Sequence, residues 1–253
     1  MANLRKGVLE KVHAYLSKQK FAYQVLVVDD GSDDGSVEYI ATFVKDHPFF
    51  TLLKNKHLGK AGAVTAGMLA AKGKYRLFSD MDQATPIEEA EKLLHFFDES
   101  LQAGPLRLSE ASRQGFDVVI GSRSSRREGS PFIRQFISHS QVVLRKLLVG
   151  LPELTDTQCG FKMFKGEVAD QLFSRVRIIH KGFKAIHGSN VTSGFDIELL
   201  YIADLMGYKI KEVPVQWLYV ETRRVNPIKD SIQGVMDLIT IKKNAVAGKY
   251  LKV

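Results

Sequence analysis

A single cysteine, Cys159, stands in 253 residues, so the chain has no intrachain disulfide and no Cys pair to hold a metal. A reducing compartment is the natural expectation. Uncharged runs of the roughly 18 residues needed to cross a membrane are missing as well. Even the stretch 132–151 is broken by Arg134, Arg145 and Lys146. The apolar run after Lys6 is too short to be expected to act as a secretory signal. These absences lead us to expect a cytoplasmic chain, soluble or peripheral on a membrane face. The seven histidines show no metal-ligand spacing, and neither an internal repeat nor a low-complexity segment is evident. Aromatic residues make up 9% and are not interleaved with basic ones, which argues against base-stacking platforms and a nucleic-acid partner.

What remains is the composition of an ordinary globular protein, 45% hydrophobic and 25% charged. Lys and Arg number 36 against 28 Asp and Glu, a net charge of +8 that favours anionic partners such as nucleotides or phospholipid headgroups. No linker divides the chain. We therefore expect one domain over 1–253, with 222–253 as a C-terminal appendage.

Apolar periodicity gives the element order. Residues 3–18 repeat Leu4, Val8, Val12 and Leu16 at helical spacing. Strands are expected at 24–28, 49–53, 75–78, 117–120, 157–164 and 209–217. Helices are expected at 35–45, 60–72 (closed by Gly73 as a left-handed cap), 87–97 behind Pro86, 132–148, 196–206 and 229–243. Residues 98–116 read as a polar insertion and 124–130 as a loop. Strands alternating with helices over short connections predict an α/β fold with a mostly parallel sheet flanked by helices.

Acidic residues gather where two of these strands end. Asp80 and Asp82, one residue apart after Tyr75–Phe78, converge on one cation only where strand gives way to loop. Mg²⁺ is commonly held by one or two carboxylates plus substrate phosphates. Asp29 and Asp30 end the first strand in Asp29-Asp30-Gly31-Ser32. Ligands of open α/β sheets lie beyond the carboxyl ends of the strands, where such acids meet ribose or base. A turn and a helix cap account for Asp34, Gly35 and Ser36, but not for two adjacent acids at the strand end.

Gly59-Lys60-Ala61-Gly62 lets backbone approach a ligand closely, yet lacks the Lys-Ser/Thr pair of a phosphate loop. Arg123 ends a strand in Gly121-Ser122-Arg123, and its fork suits phosphate oxygens. The other arginines read as surface groups, Asp156 as a turn former and Cys159 as a small packed residue.

Taken together, Val27-Val28-Asp29-Asp30-Gly31-Ser32, Asp80-Met81-Asp82, Gly121-Ser122-Arg123, Asp156 to Lys162, Phe195 to Leu200 and Val213-Pro214-Val215-Gln216-Trp217 resemble glycosyltransferase family 2, and within it the polyprenyl-phosphate sugar transferases. The resemblance spans about residues 3–250. It implies a GT-A (Rossmann-like) fold and inverting transfer of a hexose, glucose from UDP-glucose, to a polyprenyl or dolichyl phosphate. Mannosyl transfer from GDP-mannose, or transfer to a soluble glycan, are the alternatives within the class. An inactive scaffold or a nucleic-acid-binding module is the alternative outside it.

By motif, Asp29 and Asp30 would contact the nucleoside. Asp80 and Asp82 would hold Mg²⁺ or Mn²⁺, with Gln83 adjacent and Lys60 on the substrate side. Arg123 and Arg134 would bind the acceptor phosphate, and Asp156 would lie near the reacting centre. The basic faces of 132–148 and 229–243 are expected to rest on an anionic membrane surface. The family's usual first strand has no counterpart here. Its loss would leave unpaired backbone groups inside the sheet, so the natural chain is expected to extend upstream of Met1.

Overall fold

Six short strands carry the architecture of the computed structural model, which describes residues 1–97, 115–123, 146–183, 194–218 and 227–251. They are β1 (Val25–Asp29), β2 (Phe50–Lys54), β3 (Tyr75–Ser79), β4 (Val118–Arg123), β5 (Phe161–Lys165) and β6 (Ile210–Val215). The helices are α1 (Val8–Leu16), α2 (Ser36–Lys45), α3 (Gly59–Ala70), α4 (Ala90–Leu94), α5 (Gly166–Ile179), α6 (Phe195–Leu205) and α7 (Pro227–Val246).

The strands form two sheets. β1 and β2 pair in parallel, and the others follow the order β3-β5-β4-β6. β4 and β6 are parallel, whereas β5 runs antiparallel to both β3 and β4. The α/β expectation holds, with the pairing mixed. A buried strand reads the same in either direction, so β5's orientation left no trace in its apolar pattern.

Both faces of the larger sheet are covered. Val118, Ile120 and Phe164 face one way, onto Leu172, Phe173 and Val176 of α5 and Leu199, Leu200 and Ile202 of α6. Val119, Phe161 and Met163 face the other way, with Leu93, Val213 and Val215. This is the period-two alternation of a pleated strand buried on both sides. A third cluster joins α1, α2, β1 and β2 through Leu9, Val12, Val27, Ile40 and Phe50.

Helix α3 is rich in small residues because it lies close on its neighbours. A Cβ on Gly67 would come within 2.9 Å of Val28 Cγ2. Met68 and Ala61 join the core of the larger sheet, while Gly67 rests on β1. The buried Arg76 of β3 fastens the helix from below. It donates to Met68 O at 2.9 Å and forks onto Asp170 of α5 at 2.6 and 2.9 Å.

Three local expectations are corrected. Gly73 is not a left-handed cap: α3 ends at Ala70 with Ala71 extended. Gly73 matters through close approach instead, since a Cβ there would lie 2.7 Å from Tyr75 O. The 3–18 helix breaks at Gly7, whose φ of 69° separates a short 3₁₀ turn, Leu4–Lys6, from α1. The helix behind Pro86 is a 3₁₀ turn, Ile87–Glu89, followed by the five residues of α4. Most of the insertion expected at 98–116, the loop at 124–130, most of the basic helix at 132–148, and the segments 184–193 and 219–226 lie outside the described residues.

The C-terminal helix docks through Leu238 and Ile241, and the residue that secures its end is Tyr250. Its hydroxyl donates to the buried Glu198 of α6 at 2.6 Å, while His180 Nε2 lies 2.8 Å from the other oxygen. Burial pushes the Glu198 carboxyl up, but the contacts with His180 and Tyr250 outweigh it and hold the group below its ordinary range. The stability it contributes is thus present above the usual carboxylate pKa and is lost as pH falls through the depressed one. Tyr250→Phe removes one donor from this buried carboxylate. It should cost about 1–3 kcal/mol, read as a lower urea midpoint at pH 7, with the loss shrinking once Glu198 is protonated.

Candidate active site

The ends of β1 and β3 meet at the first turn of α3. Asp30, just past β1, accepts hydrogen bonds from Leu58 N (2.9 Å), Gly59 N (2.6 Å) and Asn55 Nδ2 (3.0 Å). It thus caps a helix it does not belong to, supplying the anionic group that an N-terminus favours. Asp29 is buried, and its Oδ2 accepts Gly31 N and Ser32 N at 3.0 and 3.1 Å. Gly31, with φ of 86° and His57 against it, gives the chain its turn.

Lys60, one residue into α3, reaches the other strand end. Its Nζ lies 3.2 Å from Asp80 Oδ1 and 3.2 Å from Asp196 Oδ2 at the start of α6. Burial works against the ammonium, but Asp196 and Asp80 outweigh it and its pKa is raised. Asp80 keeps 48% of its side chain exposed, yet the cleft withdraws its carboxyl from bulk water. That desolvation lifts its pKa; Lys60 opposes the rise, and the charges of Asp196 and Asp82 add to it.

The loop after β3 turns sharply. Gln83 has a φ of 49°, its N donates to Asp80 O at 3.1 Å, and its side-chain amide donates to Ser79 Oγ at 3.0 Å. Asp82 Oδ1 accepts Ala84 N at 3.0 Å. Gly160 closes the other side: its carbonyl accepts Asp80 N at 3.1 Å, and a Cβ on it would overlap the Asp80 carboxylate.

Asp80, Asp82, Thr85, Arg123, Gly160 and Trp217 line one open cleft of about 180 Å³. Arg123 is gripped by Asp156 in two-pronged fashion, Nε to Oδ2 at 2.7 Å and Nη2 to Oδ1 at 2.6 Å, with the Arg123 backbone N donating at 2.9 Å. Burial raises the Asp156 carboxyl, but these contacts outweigh it and the net displacement is downward. Asp156 is itself held by Glu212, which accepts from its backbone N at 2.9 Å. Cys159 is buried at the cleft floor, burial pushes its thiol pKa up, and its Sγ lies 4.0 Å from Thr85 Oγ1. That is a packed thiol, as expected.

The structure therefore brings Asp30, Lys60, Asp80, Asp82, Gln83, Arg123 and Asp156 to one region, with Asp29 directly behind Asp30. Arg134 lies outside the described residues. Sequence reading gave no role to Lys162, Gly160 or Trp217, and quoted Asp196 only as part of a motif. One signal pointed inward: Lys162 stands in the apolar run Phe161-Lys162-Met163-Phe164, and it is fully buried.

No group of three or more His, Cys, Asp or Glu side chains forms a metal cage among the described residues. The pair Asp80 and Asp82 still fits a hard divalent ion that takes its remaining oxygens from substrate and water. The bare face of Gly160 leaves just enough room for the Asp80 carboxylate.

With this geometry in hand, comparison with known proteins is specific. A model of glycosyl transferase family 2 matches residues 3–104. A dolichyl-phosphate β-glucosyltransferase of Mus musculus is 30% identical over 257 residues, covering 96% of this chain and 72% of the relative. The chain belongs to glycosyltransferase family 2.

Proteins with the same name from Homo sapiens (29% identical, 96% of this chain and 72% of that one) and Dictyostelium discoideum (28%, 90% and 65%) are similar to it. The chain thus spans about two thirds of the length of these relatives. Among solved structures, glucosyl-3-phosphoglycerate synthase from Mycobacterium tuberculosis, in complex with Mn²⁺ and UDP-glucose, superposes with a TM-score of 0.53 at 16% identity. That match covers 86% of this chain and 67% of the other, and it establishes the GT-A fold.

Gly160→Ala tests the cleft's construction. The added methyl displaces Asp80, so if Asp80 and Asp82 hold a divalent ion, the affinity for Mn²⁺ should fall about 10- to 100-fold in calorimetry while the far-UV circular dichroism stays unchanged.

Proposed function

We propose that this chain transfers a hexose from a nucleoside-diphosphate sugar, UDP-glucose, to a polyprenyl phosphate of the dolichyl type, with inversion at the anomeric carbon. The observation that carries the reading is the meeting of Asp30, Lys60 and Asp80 at one helix start, with Asp80 lining the same cleft as Asp82 and the Arg123 that Asp156 grips. The relatives named dolichyl-phosphate β-glucosyltransferase support the acceptor and the sugar. The structural neighbour's complex supports the donor and a divalent ion.

Asp80 and Asp82 would hold Mg²⁺ or Mn²⁺, which when bound offsets the charge that grows on the departing diphosphate. The chain's own residues do the rest. Asp29 and Asp30 shape the nucleoside end: both carboxylates are committed to backbone N–H groups, and the nucleoside meets the rigid turn they create. Lys60 adds a positive charge on the diphosphate side. Gln83, fixed to Ser79, keeps the Asp80–Asp82 loop in its strained turn.

Arg123 offers the acceptor phosphate the N–H groups that Asp156 does not use. A phosphate monoester has a second pKa of about 6 and is already anionic near neutral pH, so it needs orientation more than a strong base. Asp156 serves by holding the guanidinium still. The exposed indole of Trp217 walls the cleft and limits the water that would otherwise attack the donor.

No helix among the described residues is long and apolar enough to cross a membrane. Peripheral contact is the mode we propose, through the outward face of α7. Ile232, Met236 and Val246 are exposed there beside Lys242 and Lys243, an arrangement suited to an anionic lipid surface.

Two measurements test these readings. Incubated with UDP-glucose, Mg²⁺ and a short polyprenyl phosphate, the wild type should form the lipid-linked sugar, and Asp82→Ala should lose about 100-fold or more of kcat with an unchanged melting temperature. Full activity in that variant refutes the metal assignment. In flotation with vesicles containing phosphatidylserine, the wild type should rise with the lipid and Lys242→Glu/Lys243→Glu should remain below. Equal flotation of the two would remove α7 from the membrane contact.

A further inference from the structure

A cation on Asp80 and Asp82 makes Lys60 a puzzle, because its ammonium already stands 3.2 Å from Asp80 Oδ1. Two positive charges would contend for one carboxylate. Held by Asp80 alone, Lys60 would be released towards solvent whenever a cation arrived. It has a second hold, however, and that hold is unusually firm.

Asp196 Oδ2 lies 3.2 Å from Lys60 Nζ, and Asp196 Oδ1 lies 2.5 Å from Lys162 Nζ. Lys162 is completely buried; it also donates to Cys159 O at 2.5 Å, and its ammonium is 5.3 Å from the ring centre of Phe78. Asp196 is 4% exposed and sits in the first turn of α6. One inflexible carboxylate thus serves two ammonium groups. Charge balance in the core requires only the Lys162–Asp196 pair. The contact from Lys60, which keeps 24% of its side chain exposed and touches the cleft's Asp80, is surplus to that requirement. The backbone of Lys60 cannot drift either, since Asp30 fixes the turn it belongs to.

Resting on the metal reading above, we infer that Asp196 is a positioning residue for the transfer reaction. It retains Lys60 at the cleft after a divalent ion has taken Asp80, so that the ammonium faces the donor's diphosphate. Lys60 is then a placeholder on Asp80 in the empty site and a phosphate ligand in the loaded one, with Lys162 holding the Asp196 carboxylate in place.

The consequence is a pair of substitutions with opposite signs. Mn²⁺ binding to the full chain is titrated without substrate by the electron paramagnetic resonance of the free ion. UDP binding at saturating Mn²⁺ is then measured by calorimetry. Lys60→Met removes the competing charge and should tighten Mn²⁺ binding at least about fivefold, the effect of one unit charge at this range under full water screening. The same variant should weaken UDP. Asp196→Asn drops Lys60 onto Asp80 alone and should weaken Mn²⁺ by a similar factor. The double variant Asp196→Asn/Lys60→Met should return to the affinity of Lys60→Met. A purely structural Asp196 would weaken the ion equally with and without Lys60, and that result overturns the inference.

Asp196→Asn strands the buried Lys162, so the same titrations are made in a Lys162→Met background. Lys60→Met is decisive by itself: unchanged or weaker Mn²⁺ binding refutes the proposal. Wild-type protein that takes up no Mn²⁺, with or without UDP, overturns the metal reading itself and this inference with it.

Discussion

The carboxylate of Asp30 is the fastening on which the site depends. It stands just past β1, yet its hydrogen bonds go to Leu58 and Gly59 at the head of α3, 28 and 29 residues further on. Charged hydrogen bonds of this kind are stronger than neutral ones, and here they fix the origin of a helix that touches both sheets. β1 and β3 are not hydrogen-bonded to one another among the described residues. What aligns their ends is α3, lying on β1 through Gly67 and pinned to β3 by Arg76. The relative position of the two acidic strand ends is therefore a property of one helix. Its small residues let it come close enough to serve.

A second layer of order comes from charges placed where none would be expected. Removing one partner from a buried ion pair generally costs about 3–5 kcal/mol, whereas an apolar replacement of the whole pair is often neutral or favourable. By that rule Lys162 and Asp196 are hard to explain as devices for stability alone. Arg123 and Asp156 repeat the pattern nearer the surface, a guanidinium held from below with part of its fork directed outward. Arg123 thus lines the cleft tethered to an acid behind it, and Lys60 stands beside the cleft's Asp80 with Asp196 behind it. That arrangement suits a ligand with several negative charges and no fixed shape of its own.

Much of this was legible in the sequence, and the limits are physical. Apolar runs ending in acids located β1 and β3 and the clusters Asp29–Asp30 and Asp80–Asp82, because a strand buried on both faces is a continuous apolar segment wherever it occurs. Helical periodicity found α2, α3, α6 and α7 wholly or in part, and it missed α5, Gly166–Ile179. Strand direction was not legible, so β5's antiparallel course was unforeseen. Gly73 suggested a cap because glycine after a helix usually is one, but here it is needed for contact with Tyr75. The Lys60–Asp196 and Lys162–Asp196 pairs join residues 136 and 34 positions apart. No local pattern encodes such partners, although a lysine inside an apolar strand signals that one must exist. Asp156 read locally as a turn former and by resemblance as a group near the reacting centre, and only the fold showed that its carboxylate grips Arg123.

The lone tryptophan of the chain stands at the lip of the cleft, held from both sides by Gln216 N on Glu89 and Leu218 N on Ala84 O. Every photon of indole emission from this protein consequently originates beside Asp82 and Arg123, with no second fluorophore of its kind to dilute it. The molecule carries its own optical gauge of whatever enters there, and no dye or label has to be attached to read it.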